Sequence, residues 1–518
     1  MANESVATVN ECRGGFGTYI SENLSLCGRS PRVTWAGYAA AWAAFAAVNY
    51  LLPLPEGLSR EGLSVLAILI WASIMWVSEA MPVGITGISI PTLLVLTHAL
   101  PWTNGKPPMG QVFSGFTTHE VWLCLFAFFT GAIIQLLGMD KRIALAILDK
   151  IKASSVGRII WGMFGVNLAL AFLIPAANAR AATIMPVVQG ITALLGDTPR
   201  EREAKKAIVI QAMVYASMIS GLFILTGHMP NLIMTGLFEK NGFKNLGYFN
   251  WMLLHIPYLL LFALSQWWVR FHFRTDGVTI AGGHEQIHRQ YKALGPASRA
   301  EKAMLAVFVL VGVLFMTGKG SPLVLHNQQL GVIGLVGIMI LFIPGLFPFK
   351  WKAVQDRTIW GTFLLLGGAI TMTDAMTKSG LAGWTAEHIH GLVQGMGWWQ
   401  TVAVMMLGTQ VLRLGMLSNV AAVAMLAPIV FAMGPKLGLH PVAFTLLICN
   451  VDTFAYLLPT QITAAVIAYG TGTFSTADYA KAGWVCTLLA IAFGIAVMAP
   501  WYAFFGLPVW NPAAPWPY

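Results

Sequence analysis

Eleven stretches of this chain are apolar enough, and close enough to twenty residues, to be read as membrane spans: 34–54, 61–81, 83–100, 115–139, 205–238, 249–270, 303–318, 329–347, 359–377, 441–470 and 483–506. About twenty apolar residues cross a bilayer as a helix. Hydrocarbon offers no partner to a backbone N–H or C=O, so a segment that enters it must satisfy its own backbone. Helices are therefore required before any motif is considered. Composition agrees: 57% of the chain is hydrophobic and only 10% charged, where soluble proteins carry roughly 25% charged residues. Two further apolar stretches, 157–195 and 397–434, are broken in the middle and read as re-entrant hairpins. The expected fold is an all-α polytopic membrane protein with about 11 transmembrane helices plus two re-entrant hairpins.

The basic residues orient this layout. With the N-terminus inside, 22 of the 31 Lys and Arg fall on the inner side, at 13–32, 141–158, 200–206, 270–302, 350–357 and 481. Seven fall outside: Arg60, Lys106, Lys240, Lys244, Lys319, Lys378 and Lys436. Inner loops carry the excess of Lys and Arg in membrane proteins, so a cytoplasmic N-terminus and a bacterial inner (plasma) membrane are expected. Residues 1–33 form a cytosolic tail, 271–302 a cytosolic loop and 507–518 a C-terminal tail. The net charge of +10 is spread over six loops, which speaks for topology and against a nucleic-acid partner. The polar segment 1–33 has no apolar core or cleavage site and is not a signal peptide. Cys12, Cys27, Cys124, Cys449 and Cys486 lack metal spacing and read as free thiols.

The remaining two basic residues lie within apolar sequence. Arg180 sits in LALAFLIPAANARAATIMPVV (168–188) and Arg413 in TVAVMMLGTQVLRLGMLSNVAAVAMLAPIV (401–430). A charge at membrane depth costs at least ~2.5–3.5 kcal/mol, so it normally faces a partner, a cavity or a ligand. Each arginine lies within five residues of a stretch of small and amide residues followed by proline: Ala176-Ala177-Asn178 with Pro186, and Ser418-Asn419-Val420 with Pro428. Twice over, a helix is expected to break in the membrane beside a fixed positive charge, as an anion site would require.

The two halves are also related. FFTGAIIQLLGMDK (128–141) matches LLGGAITMTDAMTK (365–378) at an offset of 237. Lys141 is expected inside and Lys378 outside, so the copies run in opposite directions. A broken stretch follows each copy, and then a span with its own polar interruption: Thr226-Gly227-His228-Met229-Pro230-Asn231 and Pro459-Thr460-Gln461-Ile462-Thr463. Inverted repeats with discontinuous helices are a sign of secondary transporters.

From about 61 to 506 the chain resembles the divalent anion–sodium symporter family, which carries dicarboxylates, citrate and sulfate. WASIMWVSEAMPVGITGISIPTLLVL (71–96) is similar to the family's early tryptophan and Glu-Ala-x-Pro segment. FLLLGGAITMTDAMTKSGLAGW (363–384) resembles its Gly-rich span before the second hairpin, and GTGTFSTADYAKAGW (470–484) the approach to its last span. The family carries Ser-Asn-Thr at each hairpin tip and a Thr-Pro-rich or Pro-Asn break in the span that follows. Carried over, the tips are Ala176-Ala177-Asn178 and Ser418-Asn419-Val420. The first tip lacks the Ser-Asn pair and has Arg180 two residues on. The first break keeps Pro230-Asn231, and the second, Thr460-Gln461-Ile462-Thr463-Ala464-Ala465, lacks that pair.

The resemblance implies a homodimer with scaffold spans at 34–155 and 303–392. Transport elements at 157–270 and 397–506 would move as an elevator. Substrate contacts are expected from Asn178, Arg180, Thr226, His228, Asn231, Arg413, Ser418, Asn419, Gln461 and Thr463. Cation or proton coupling would fall to Ser418, Asn419 and Asp452. No cofactor, catalytic residue or resident metal is expected; Na+ and H+ are the candidate coupling ions. A guanidinium can supply permanently the charge a sodium ion would bring, and its planar fork suits carboxylate or sulfonate oxygens. Anion exchange, or symport through one remaining cation site at the second tip, follows as the expectation.

Asp452 could instead pair with Arg413 or Arg180, and His228 could be a packed, hydrogen-bonded histidine. Asp374, Lys378 and Glu79 read as structural, and His388-x-His390 as a surface pair. Candidate substrates are C4/C5 dicarboxylates, with sulfate or an organosulfonate as the alternative. A membrane enzyme would need an acid, base or metal cluster that the sequence does not show. An anion channel would not need the inverted hairpins.

Overall fold

Helix follows helix from Pro31 to Phe504. Among the described residues the extended pairing amounts to one isolated bridge, Ser155 with Thr279. The computed structural model describes residues 31–518 except 103–104, 153, 281, 319–320 and 417. Most of the expected tail over 1–33, with Cys12 and Cys27, lies outside the described residues, as does Lys319.

The helices are α1 (Pro31–Ala46), α2 (Arg60–Ser78), α3 (Val83–Leu96), the single turn α4 (Met109–Val112), α5 (His119–Leu137), α6 (Met139–Lys150), α7 (Val156–Leu173), α8 (Ala177–Thr192), α9 (Pro199–Val209) and α10 (Ala216–Phe223). After a 3₁₀ turn at Leu225–Gly227 come α11 (Met229–Lys240), α12 (Tyr248–His255), α13 (Tyr258–His272), α14 (Gly283–Ala293), α15 (Arg299–Met316), α16 (Leu330–Leu341), α17 (Trp351–Arg357) and α18 (Trp360–Lys378). The chain continues through α19 (Leu381–Val393), α20 (Trp398–Arg413), α21 (Asn419–Lys436), α22 (Pro441–Asp452), a second 3₁₀ turn at Pro459–Gln461, α23 (Thr463–Tyr469), α24 (Thr476–Phe493) and α25 (Ala499–Phe504).

Seven helical stretches are long and apolar enough to cross a bilayer, among them Pro199–Phe223, Tyr248–His272 and Thr476–Phe504. The pair α17–α18, bent by 59°, makes an eighth if taken as one span. Hydropathy alone had suggested eleven. The difference arises largely where the helix is shorter than the apolar sequence: Val83–Leu96, Leu330–Leu341 and Pro441–Asp452, in the stretches 83–100, 329–347 and 441–470, are apolar but only 14, 12 and 12 residues long. Two of the seven, α7 and α21, are arms of the stretches read as hairpins.

The breaks in those stretches fall beside the expected places. Pro186 and Pro428 lie inside α8 and α21, which continue through them. The chain leaves the helix at Ile174–Ala176 in the first stretch and after Arg413 in the second, where the next helix starts at Asn419. A proline removes one backbone bond and kinks a helix, and neighbouring helices can make good the loss at membrane depth.

Element order repeats between the halves. A span (α5 or α18) ends at a left-handed glycine, Gly138 with φ 67° or Gly380 with φ 76°. A helix of 12 or 13 residues follows, then a helix–break–helix, then a helix interrupted by a 3₁₀ turn.

Two hydrophobic cores form. The smaller joins α1, α2 and α3 to parts of α18 and α19 and to Met416, Ala421 and Ala422 at the second break; the larger holds most of the rest. In the smaller core α3 crosses α18 almost backbone to backbone. A Cβ on Gly368 would lie 2.1 Å from the Gly87 carbonyl oxygen. The Gly-rich segment of α18 is thus explained by close helix approach, which small residues permit.

Candidate anion-binding site

Four helices begin at one cavity of about 280 Å³. From the first half come Ala176, Ala177 and Asn178 at the start of α8, and His228 and Met229 at the start of α11. From the second half come Ser418, Asn419 and Val420 at the start of α21, and Ile462, Thr463 and Ala464 at the start of α23. No side chain caps α8, α11 or α23. At α21 the Ser418 hydroxyl accepts from the Ala421 N–H at 3.2 Å. The first N–H groups of a helix have no partner within it. They carry about half a positive charge, which favours an anion.

Both arginines are fully buried behind this wall and do not line the cavity. Arg180 donates from Nη1 to the carbonyls of Ile174 (2.7 Å) and Gly227 (2.7 Å), and from Nη2 to that of Ser217 (2.6 Å). It fits because Gly221 leaves room: a Cβ there would lie 2.7 Å from Nη2. Arg413 donates from Nη1 to the Met416 carbonyl (3.0 Å) and from Nη2 to Asn419 Oδ1 (2.5 Å) and to the carbonyl of Gln461. Each arginine therefore ties a break to the last carbonyl of the 3₁₀ turn in its own half, Gly227 or Gln461. In this structure the terminal nitrogens of Arg180 are bonded to backbone and those of Arg413 to backbone and Asn419, and neither arginine lines the cavity.

The two arginines differ in charge balance. Arg413 Nε lies 3.4 Å from Asp452 Oδ1, and both residues are buried. This is the pairing that the sequence left open for Asp452. Among the described residues no carboxylate lies within ion-pair distance of Arg180; its three partners are neutral carbonyls. A net positive charge thus sits behind the first tip, while the second is balanced.

Two other expected contact residues also serve the backbone, and a third bonds a neighbouring side chain. Asn231 Nδ2 donates to the carbonyls of Gly221 (3.1 Å), Ile224 (3.1 Å) and Leu225 (3.3 Å). Gln461 Oε1 accepts from the N–H groups of Leu457 (2.9 Å) and Leu458 (2.7 Å). Thr226 bonds the Tyr248 hydroxyl at 2.8 Å. Buried backbone groups must be paired, and a broken helix leaves several to satisfy. These residues hold the breaks open; Asn178, His228, Ser418, Asn419 and Thr463 reach the cavity.

The second tip is also more engaged than its sequence suggests. Asn419 Oδ1 accepts from Arg413, Ser418 Oγ caps α21, and Asp452 faces Arg413. Asn419 Oδ1 and Ser418 Oγ therefore already have partners, whereas both carboxylate oxygens of Asp452 are buried without a hydrogen bond. His228 Nε2 lies 3.5 Å from Asn419 Nδ2, so the first break touches the second tip.

The cavity is also lined by Glu79, which the sequence reads as structural, and by three residues that the sequence does not single out as site residues. Glu79, which caps α2 at a left-handed φ of 50°, lines the cavity with Val83, Thr362 and Leu365. The positive φ of a non-glycine residue marks such positions, but it is invisible in sequence. Asp374 receives Lys378 Nζ at 3.0 Å and Ser114 Oγ at 2.7 Å, a structural role as expected. Cys124, Cys449 and Cys486 are free and buried.

The sodium:sulfate symporter transmembrane region family matches residues 32–507, and the chain belongs to that family. It is 28% identical over 483 residues to a membrane protein of Cupriavidus necator, covering 90% of this chain and 93% of that one. It is 27% identical over 474 residues to the sodium-dependent dicarboxylate transporter SdcS of Staphylococcus saprophyticus, covering 87% and 88%. The fold is similar to that of the Alcanivorax borkumensis YdaH transporter, with a TM-score of 0.51 at 14% identity over 83% of this chain and 99% of that one. The protein is thus a multi-pass membrane transporter and not an enzyme.

Proposed function

We propose that the protein is a secondary active transporter of small divalent organic anions, C4 and C5 dicarboxylates. It works by an elevator-type mechanism, as an anion exchanger or weakly cation-coupled symporter. The carrying observation is the convergence of four helix N-termini on one cavity, with the unpaired charge of Arg180 behind it. A dicarboxylate places its charge at two ends, and the cavity offers N-termini from both halves.

The relatives named as sodium-dependent dicarboxylate transporters support this substrate class and support Na+ as the coupling ion. Any Na+ coupling here is weak. At both tips a guanidinium donates to carbonyls that a cation would otherwise draw on. The moving part comprises 157–270 and 397–506, the scaffold 34–155 and 303–392, and two copies of the chain form a homodimer. With the N-terminus cytoplasmic, Glu79, Val83 and Thr362 belong to the inner ends of α2, α3 and α18. In this reading the two halves run in opposite directions through the membrane.

The family description favours sulfate as a second substrate reading, with organosulfonates beside it. Counterflow in proteoliposomes tests the proposal. Labelled succinate should accumulate in vesicles preloaded with unlabelled dicarboxylate, and added Na+ should raise uptake weakly and without cooperativity. Uptake of sulfate with no response to any dicarboxylate refutes the C4/C5 reading. Currents far above transporter turnover would make the protein an anion channel.

A further inference from the structure

A second polar cluster lies away from the anion cavity. His119 and Glu120 open α5, and Glu239 ends the last turn but one residue of α11. One ligand atom from each of the three lies within 4.8 Å of the others. His119 Nε2 contacts Glu239 Oε2 and lies 3.5 Å from Glu120 Oε1. Glu120 is only 2% exposed. Its Oε1 and His119 Nδ1 are buried without a hydrogen-bond partner. Among the described residues no Lys or Arg lies within ion-pair distance of Glu120 or Glu239; the His119 ring is the ion-pair partner of both.

Two carboxylates that share one imidazole at partial burial are an unbalanced arrangement. A buried charge needs a partner or a metal. All three residues line one cavity of about 190 Å³, which gives an ion a way in and room for a water ligand. The histidine is held in place: a Cβ on Gly331, at the start of α16, would lie 2.4 Å from the His119 carbonyl oxygen.

We propose that His119, Glu120 and Glu239 form a site for a divalent transition-metal ion of the Zn2+ class, with water completing the coordination. Mixed imidazole and carboxylate ligands suit such ions. Bonds of ~2.0–2.1 Å to a tetrahedral centre put ligand atoms roughly 3.3 Å apart. The His119–Glu120 separation of 3.5 Å already matches that spacing. The His119–Glu239 contact opens to it when the bridging proton is replaced by the metal. The site joins α5 to α11. On the elevator reading proposed above, these belong to the scaffold and to the moving part, and all three residues lie toward the outer side. The metal then acts as an inhibitory clasp applied from outside; that consequence rests on the elevator reading, whereas metal binding itself does not.

Titration calorimetry with ZnCl2 on the purified full chain should show one saturable site per chain. Zinc K-edge absorption should show nitrogen and oxygen ligands and no sulfur. Glu239→Gln and His119→Gln, each confirmed monodisperse by gel filtration, should each raise the Kd by about tenfold or more. Unsaturable binding, a sulfur-containing shell, or unchanged affinity in both well-folded variants overturns the site. In proteoliposomes, external ZnCl2 should inhibit uptake by the parent protein and not by Glu239→Gln. Binding with the expected ligands but without inhibition keeps the site and overturns only the clasp.

Discussion

Replacing Arg180 with serine tests whether its guanidinium stands where a mobile cation would otherwise sit. The side chain makes three charge-assisted bonds, to the carbonyls of Ile174, Gly227 and Ser217. A buried carbonyl left without a partner costs ~1–3 kcal/mol. Water entering the vacated space will satisfy part of that demand. A loss of about 2–4 kcal/mol in the ordered state of the first tip is a reasonable expectation, or roughly 30-fold or more in the competent population. Arg180→Ser should therefore transport poorly in sodium-free buffer. The vacated space is lined by three carbonyl oxygens, which suit a hard cation. If Na+ binds there, stability recovers by RT ln(1 + [Na+]/Kd), ~1.4 kcal/mol or about tenfold when [Na+] is ten times Kd. The variant should thus show a stronger sodium dependence than the parent. Arg180→Lys should fall between, since one ammonium cannot reach the sites of both Nη1 and Nη2. Initial rates of labelled succinate uptake, in NaCl against choline chloride, give the answer. Wild-type rates for Arg180→Ser in choline would refute the reasoning, because the tip would then need neither guanidinium nor sodium.

Cysteines placed at Lys240 and Lys378 should react with an impermeant thiol reagent from outside intact cells, while those at Lys150 and Arg299 should not; labelling at Arg299 would overturn the inverted layout. Gly368→Ala should lower the thermal midpoint. Its Cβ would lie 2.1 Å from the Gly87 carbonyl oxygen, and overpacking of this kind costs ~1–3 kcal/mol; an unchanged midpoint would show that α3 and α18 part freely. Asn178→Ala should raise the KM for succinate with little loss of stability, because Asn178 lines the cavity; a large fall in the thermal midpoint at unchanged KM would make it structural.

The sequence pointed to the two breaks, and the structure adds what their polar residues bond to, for a physical reason. Charge inside an apolar run marks membrane depth, so Arg180 and Arg413 pointed to the correct breaks. Whether such a charge faces ligand or backbone depends on how many carbonyls the break frees, and this is decided in three dimensions. Asn231 and Gln461 carry the same ambiguity: an amide beside a broken helix suits a substrate or the break itself, and here it serves the break. Pro186 and Pro428, which follow the expected breaks, lie within helices that continue through them. The cluster of His119, Glu120 and Glu239 had no signal at all, because its two parts lie far apart in the chain and meet only when α5 packs near α11.

The second tip belongs to the smaller core, where Ala421 and Ala422 pack with α1, α2 and α3. Along the same helix, Met425, Ile429 and Ala432 also meet that core, and the Ser73 hydroxyl touches Met425 Sδ at 3.3 Å. Alanine and methionine give this face low relief and a soft, polarizable fill. Sliding one such surface along another exchanges one set of weak dispersion contacts for a similar set, with few interlocking side chains to lift over. The firm polar fastening lies at the far end of α21, where Lys436 donates to the Gly383 carbonyl at 3.0 Å and pairs with Glu387. On the elevator reading proposed above, friction along the helix is low and grip is concentrated at its end, as in a bolt held by its latch.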